Sequence, residues 1–385
     1  MKKIFNFKMM SAATLALSLL LFAGCNDAEY KVINDAIYLS EAFVSTSKKV
    51  TIDMESPVVV TATVRATEKV THDVNVSLDV SQSALDAFNK KNGTEYVLLP
   101  DACYEFAEKS AVIQTGKVGA SVTPITIKPI TQEMLDTGNK YALPISIAQA
   151  NGDVMNSLST MVYILDPVII TSVPVMTGGK PATLAMRQDY SLLQWSVEFR
   201  VNMSMLGTGI GQLNNQAIFG AFGGDEIYIR FGDAPIAGNI LQVKTLGTQI
   251  NCPTPFNAKQ WYHLAFVCDG PKLTIYINGK VDAVLDLPNR PIVLSKDKFG
   301  LCGGGSYLRA DVMMSELRFW TKAISQTQIQ NNMFTINPNT EGLEGYWKLN
   351  EGEGSTFKDA TGHGNTGTAT NGVVRWEHGV RSDGK

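Results

Sequence analysis

WYHLAFVCDGPKLTIYINGKV, residues 261–281, holds two apolar-rich strand patterns punctuated by Asp269-Gly270 and again by Asn278-Gly279. Asp-Gly and Asn-Gly supply the positive φ angles that tight turns need. Leu273, Ile275 and Ile277 fall on one face and Thr274, Tyr276 and Asn278 on the other, the period of two that a strand imposes. The stretch predicts a buried hairpin in a stacked β-sheet and excludes a helical fold.

Strand patterns continue on both sides. Residues 195–201, 216–222, 226–231 and 308–319 are strand-like and separated by regular turns, which predicts a β-sandwich over residues 183–380. Ser325-Gln326-Thr327-Gln328 fits a helix capping box, with Ile329 and Met333 as that helix's apolar stripe. Upstream, residues 36–165 alternate in short strands, clearest at residues 74–80 and 141–147. Ser81 or Ser83 can cap a short helix that carries Leu85 and Phe88 and ends at Gly93, and Thr131 starts another brief helical turn. Asp166-Pro167, Pro174, Gly178, Gly179 and Pro181 place a linker at residues 166–182. A chain of 385 residues with 44% hydrophobic and 18% charged residues is long enough for two such domains. The expected class is all-β: an N-terminal β-sandwich with short helices, then a second sandwich.

The N-terminus has a different character. Lys2, Lys3 and Lys8 precede an apolar run at residues 12–22, too short to span a bilayer, and Ala23 and Gly24 are small residues before Cys25. This predicts an export signal over residues 1–24 and a tether over 25–35. Loss of the signal removes three of the 33 Lys+Arg and none of the 36 Asp+Glu, leaving a formal charge of −6. With no basic run to match a phosphate backbone, nucleic-acid binding is excluded.

Several motifs resemble known families. Leu21-Phe22-Ala23-Gly24-Cys25 resembles the lipobox of bacterial lipoproteins, which implies that Cys25 is acylated, with palmitate among its chains. Trp-x-His-x-Ala, a turn, then Leu-x-Ile-Tyr-Ile-Asn-Gly-Lys resembles the central hairpin of concanavalin A-like, laminin-G-type jelly rolls. Met314-Ser315-Glu316-Leu317-Arg318-Phe319-Trp320, followed by Ala323-Ile324-Ser325 and Ile329, looks like that family's closing strand and helix, with Ser315 where aspartate often stands. Residues 343–349, 351–354 and 359–367 resemble a further hallmark of it. In the first half, residues 89–100 with their Tyr-x-Leu-Leu-Pro, and residues 141–145, resemble an N-terminal domain of Bacteroidetes surface lipoproteins that precedes a glycoside hydrolase or a laminin-G-like module. These resemblances imply a lipid-anchored protein of the cell envelope, at the outer membrane, with partner lipoproteins or an outer-membrane transporter, that captures a glycan or polysaccharide. A protein-binding adhesion or scaffold role is the alternative.

Candidate site residues follow. Asp359 and Asn365 bracket a glycine-rich loop whose oxygens suit calcium, which similar domains hold there, with Glu316 as a third ligand. The same residues also serve an Asx-turn and a left-handed backbone without metal. For glycan binding, Tyr307 beside Gly303-Gly304-Gly305 is the stacking candidate, with Arg309 and Asp311 as polar contacts, unless Tyr307 packs against the sandwich. Trp195, Trp261, Trp320 and Trp347 lie in strand motifs and are expected in the core. Cys103, Cys252, Cys268 and Cys302 have no zinc spacing; one disulfide or buried free thiols are both open. A retaining glucanase of related fold needs Glu-x-Asp-x-x-Glu and a hydrolase elbow needs Gly-x-Ser-x-Gly; the chain has neither, so a glycosidase is the least favoured reading.

Overall fold

The computed structural model describes residues 36–382, so the expected export signal over residues 1–24, the expected tether over 25–35 and Cys25 lie outside the described residues. Two β-sandwiches follow one another. The first packs a six-stranded sheet, in which Tyr141–Ala150 lies between Thr160–Pro167 and Val74–Val80, against a smaller sheet of Val58–Ala62, Thr123–Ile127 and Tyr104–Phe106. Val76, Leu78, Ile125, Ile127, Leu143 and Ile145 meet between them. The helix Gln82–Asn92 covers the other side of the larger sheet through Leu85, against Ala142, Val162 and Ile164. Its ends are those expected: the Ser81 Oγ accepts from the Ala84 N–H, and Gly93 closes it at φ 63°. Thr131 caps Gln132–Asp136 in the same manner.

The second sandwich stacks two large sheets. One runs Lys280–Asp286, Lys272–Ile277, Trp261–Cys268, Trp195–Met203, Val312–Trp320, Ile170–Met176 and Arg375–Arg381. The other is centred on Glu226–Asp233, Gln216–Gly223 and Ile292–Leu301. Phe199, Phe219, Phe231, Phe266, Leu264 and Ile275 are among the side chains filling the space between. The opening stretch forms two successive hairpins, turning at Gly270 with φ 104° and at Asn278-Gly279 with φ 49° and 74°. Leu273 and Ile275 are fully buried, as their alternation requires.

One expectation changes, and one open alternative closes. Residues 166–182 do not form a free linker: Ile170–Met176 is an inner strand of the jelly roll, flanked by Val312–Trp320 and Arg375–Arg381. The breakers there misled because Pro174 is accommodated opposite Trp376, next to a register shift between Thr171 and Val173, the irregular kind of site where a sheet tolerates proline. The described cysteines are free: Cys252, Cys268 and Cys302 are buried and Cys103 partly so. Burial pushes the Cys302 thiol up to about 12, which leaves it inert.

The sandwiches touch. The Lys348 Nζ lies 3.5 Å from the Asp136 carboxylate, and the Asn337 Nδ2 donates to the Asn139 Oδ1 at 3.3 Å. Among the described residues no helix is long and apolar enough to cross a membrane.

Candidate functional site

The strand Trp195–Met203 alternates strictly. Trp195, Val197, Phe199, Val201 and Met203 enter the core, so Ser196, Glu198, Arg200 and Asn202 line the opposite face. Its neighbour Val312–Trp320 carries a bulge. Arg318 lies opposite Glu198 but Ser315 opposite Arg200, and Glu316 at the irregularity adopts φ 58°. The extra residue lets Met314 and Leu317 both reach the core while Ser315, Arg318 and Trp320 share the face of Glu198 and Arg200.

Half of this face is closed by Ile324, Ile329, Ile336, Leu343 and Tyr346, which pack on Trp320 and Ala265. Beneath this cover sits a charge network. The Glu198 Oε1 accepts from the Arg318 Nη1 at 3.1 Å and the Trp320 Nε1 at 3.2 Å, and its Oε2 lies 3.3 Å from the His263 Nε2. Arg318 also donates to the Asn332 carbonyl at 2.7 Å and to Glu316, which accepts from the Tyr346 hydroxyl as well. Burial opposes the charge on Glu198, but Arg318 and His263 outweigh it and hold the carboxyl below its usual range. The Arg318 guanidinium is likewise penalised by burial and held charged by Glu198, Tyr346 and Glu316. This half of the face is structural.

The other half is open. A cleft of about 530 Å³ lies between the sandwiches, walled by Asp136, Ser315, Glu316, Phe334 and Lys348, with Arg200 at its base. A second lobe of about 440 Å³ shares Arg200 and Phe334 with the first and adds Lys259, Gln260, Trp261 and His263. Arg200 is 7% exposed, and its guanidinium sits between two rings, 5.0 Å from Trp261 and 4.7 Å from Phe334. The guanidinium makes no hydrogen bond or ion pair with any described residue. The Ser315 Oγ beside it is buried and also lacks a partner. An apolar pair of rings around unpaired donors is the composition of a small-ligand cleft, and the volumes fall in the usual range of about 300–1,000 Å³.

The sequence candidates fall elsewhere. Tyr307 is 57% exposed in the turn Gly305–Tyr307, not packed on the sandwich. Arg309 is also exposed, and its backbone N–H is held by the Gln216 Oε1 at 3.3 Å. The Asp311 carboxylate pairs with Arg375 at 3.1 Å. None of the three lines the cleft. Asp359 and Asn365 do meet, at 2.9 Å, but as hydrogen-bonding partners. The Asp359 Oδ1 accepts from the N–H groups of Tyr346 and Thr361 and from the Thr361 hydroxyl, its Oδ2 from Asn365, and the Asn365 Oδ1 from the Arg187 N–H. This is the Asx-turn arrangement, and its oxygens face donors where a cation would need them free, so the donor set does not fit calcium. Glu316 is engaged by Arg318 and Tyr346. Trp195, Trp320 and Trp347 are core residues; Trp261 is only half-buried and stands in the cleft.

Arg200, Trp261, Phe334 and Lys348 were missed at the sequence level. A signal for one existed: the alternation in Trp195–Met203 puts an arginine on a fully polar row. Nothing local ties it to residues 261, 334 and 348.

Two family profiles match the chain. That of the concanavalin A-like lectin/glucanases superfamily, laminin-G type, covers residues 177–330, and one for an N-terminal domain covers residues 31–154. A candidate carbohydrate-binding protein from Bacteroides ovatus has a similar structure, with a TM-score of 0.64 and 24% identity over 89% of this chain and 97% of that one. The whole two-sandwich fold is therefore shared. A pentraxin from Limulus polyphemus matches 52% of this chain and 96% of its own at 17% identity and a TM-score of 0.32. No curated protein matches the chain.

Proposed function

We propose that this chain is a non-catalytic glycan-binding protein of a bacterial cell envelope, exported and held at the outer membrane by a lipid on Cys25. In this reading it captures polysaccharide for uptake, alongside partner lipoproteins and an outer-membrane transporter. The observation that carries the binding role is the cleft at Arg200, where two aromatic rings and unpaired polar groups meet in a space of sugar-sized dimensions. The shared fold with the Bacteroides ovatus candidate carbohydrate-binding protein supports it, as does the lipobox-like Leu21-Phe22-Ala23-Gly24-Cys25.

Affinity electrophoresis of the full chain through gels containing single polysaccharides tests the binding role. Retardation by at least one polymer, abolished by Trp261→Ala, is expected. Uniform migration across a broad panel, together with capture of a protein partner that added glycans do not displace, would instead establish the adhesion role. Metabolic palmitate labelling, lost in Cys25→Ser, tests the anchor.

A further inference from the structure

We infer that the cleft selects an acidic saccharide, one whose carboxylate docks on the Arg200 guanidinium while its ring lies against Trp261 and Phe334. The inference rests on the glycan-binding reading and adds the chemical class of the ligand.

Arg200 is the central observation. Arg200 as a residue is only 7% exposed, so its guanidinium keeps little contact with bulk water, and a buried cation normally has a carboxylate on it. Arg318, two strand positions away on the neighbouring strand, shows the usual solution, with Glu198 and Glu316 both on it. Arg200 has only the faces of two rings. A ring face attracts a cation without accepting a conventional hydrogen bond, so the N–H donors of this guanidinium keep their capacity for a ligand. The guanidinium edge matches a carboxylate, which accepts two parallel hydrogen bonds from it.

The surrounding charges favour the same ligand. Among the described residues that line the lobe containing Trp261, the charged ones are Arg200 and Lys259, and none is an acid. In the other lobe Glu316 and Asp136 are the acids, and each is already engaged, Glu316 by Arg318 and Tyr346, Asp136 by Lys348. Glu316 still helps to keep Arg200 charged against the cost of burial. The unpartnered Ser315 hydroxyl can donate to the same anion. A neutral sugar would satisfy the guanidinium edge with hydroxyls alone, leaving the cation with only the Glu316 carboxylate nearby, which Arg318 and Tyr346 already engage.

The test compares polymers that differ in charge chemistry, using the full chain. Polygalacturonate, alginate and hyaluronate carry carboxylates, carrageenan carries sulfates without carboxylates, and mannan, laminarin and xyloglucan are neutral. We expect retardation by a carboxylate polymer, loss of at least tenfold in affinity when that polymer's carboxyls are chemically reduced, and a similar loss in Arg200→Gln. Lys259→Gln should weaken binding by a smaller factor, and Arg200→Lys should retain part of it. Thermal melting of each variant separates lost binding from lost fold. Binding only to carrageenan, or only to neutral polymers, overturns the inference while leaving the glycan-binding reading intact. So does binding to an acidic polymer that a folded Arg200→Gln retains in full. Absence of binding to any polymer overturns both.

Discussion

Gly138 of the N-terminal sandwich rests against the backbone of Ile336 in the jelly roll, so closely that a Cβ on Gly138 would lie 2.0 Å from the Ile336 carbonyl oxygen. Gly138 is also at φ 66°, a conformation that costs an L-residue about 1–2 kcal/mol. Gly138→Ala should therefore do more than destabilise its own turn. It should push the sandwiches apart, raise the radius of gyration in small-angle scattering, and weaken glycan binding in the cleft they share. An unchanged radius would mean that the two domains do not pack through this contact.

Arg318 is the one cation shared by Glu198 and Glu316. Removing one member of a buried ion pair strands the other and costs about 3–5 kcal/mol. Arg318→Leu should lower the urea midpoint accordingly, and Arg318→Leu with Glu198→Gln and Glu316→Gln should recover much of the loss. Equal destabilisation in the single and triple variants would refute the coupling.

Lys140, near the domain junction, has its ammonium pushed down to about 8 by burial and by the Arg318 and Lys49 cations, with Asp166 and Glu198 opposing. Its value in the unfolded chain is near 10.5. Between these values the unfolded state binds more protons than the folded one, so stability rises with pH through this window and is flat below it on this account. Lys140→Met should be more stable near pH 7 and should lack the rise between pH 8 and 10.5, as followed by denaturant midpoints across that range.

Asp359 organises its loop by accepting five hydrogen bonds. Asp359→Ala should cost a few kcal/mol, since charge-assisted bonds contribute about 1.5–3 kcal/mol each and are not additive. Chelation should leave the wild-type melting midpoint unchanged. A midpoint that climbs with added calcium would show that the loop exchanges these donors for a cation.

Tyr307 and Trp261 offer two rival sugar platforms. Tyr307 is the more exposed, whereas Trp261 shares Arg200 with Phe334. Trp261→Ala should abolish retardation by the bound polysaccharide, and Tyr307→Ala should leave it within about twofold, well under the ~1.4 kcal/mol of a tenfold change. The reverse pattern would place the site on the Gly303-Gly304-Gly305 turn.

Local chemistry was legible because it is written over a few consecutive residues. Asp269-Gly270 and Asn278-Gly279 turn where their φ preferences require, and Ser81, Thr131 and Ser325 cap the helices that follow them. Trp261 was misassigned to the core for a physical reason. Both faces of its strand are covered, one by the sandwich core and the other partly by Trp320, Ile324 and Ile329, so apolar residues occur at both parities and alternation loses its meaning. The strand Ile170–Met176 was hidden by Pro174 and the glycines beyond it, since breaker counting cannot see that a register shift will absorb the proline. The cleft was invisible because its members come from both sandwiches and from segments as far apart as Asp136, Arg200, Trp261, Ser315, Phe334 and Lys348, joined only by packing.

The pairing of Ile170–Met176 with Arg375–Arg381 has a consequence for how the molecule is made. The jelly roll's first strand lies beside its last, so during synthesis the early strand must wait, one edge uncovered, until nearly all of the domain has left the ribosome. The N-terminal sandwich, whose strands are complete by Pro167, meets no such delay and can form first. A jelly roll closed by its own ends folds late and slowly, which makes the period before closure the time when chaperones and export factors have access to it.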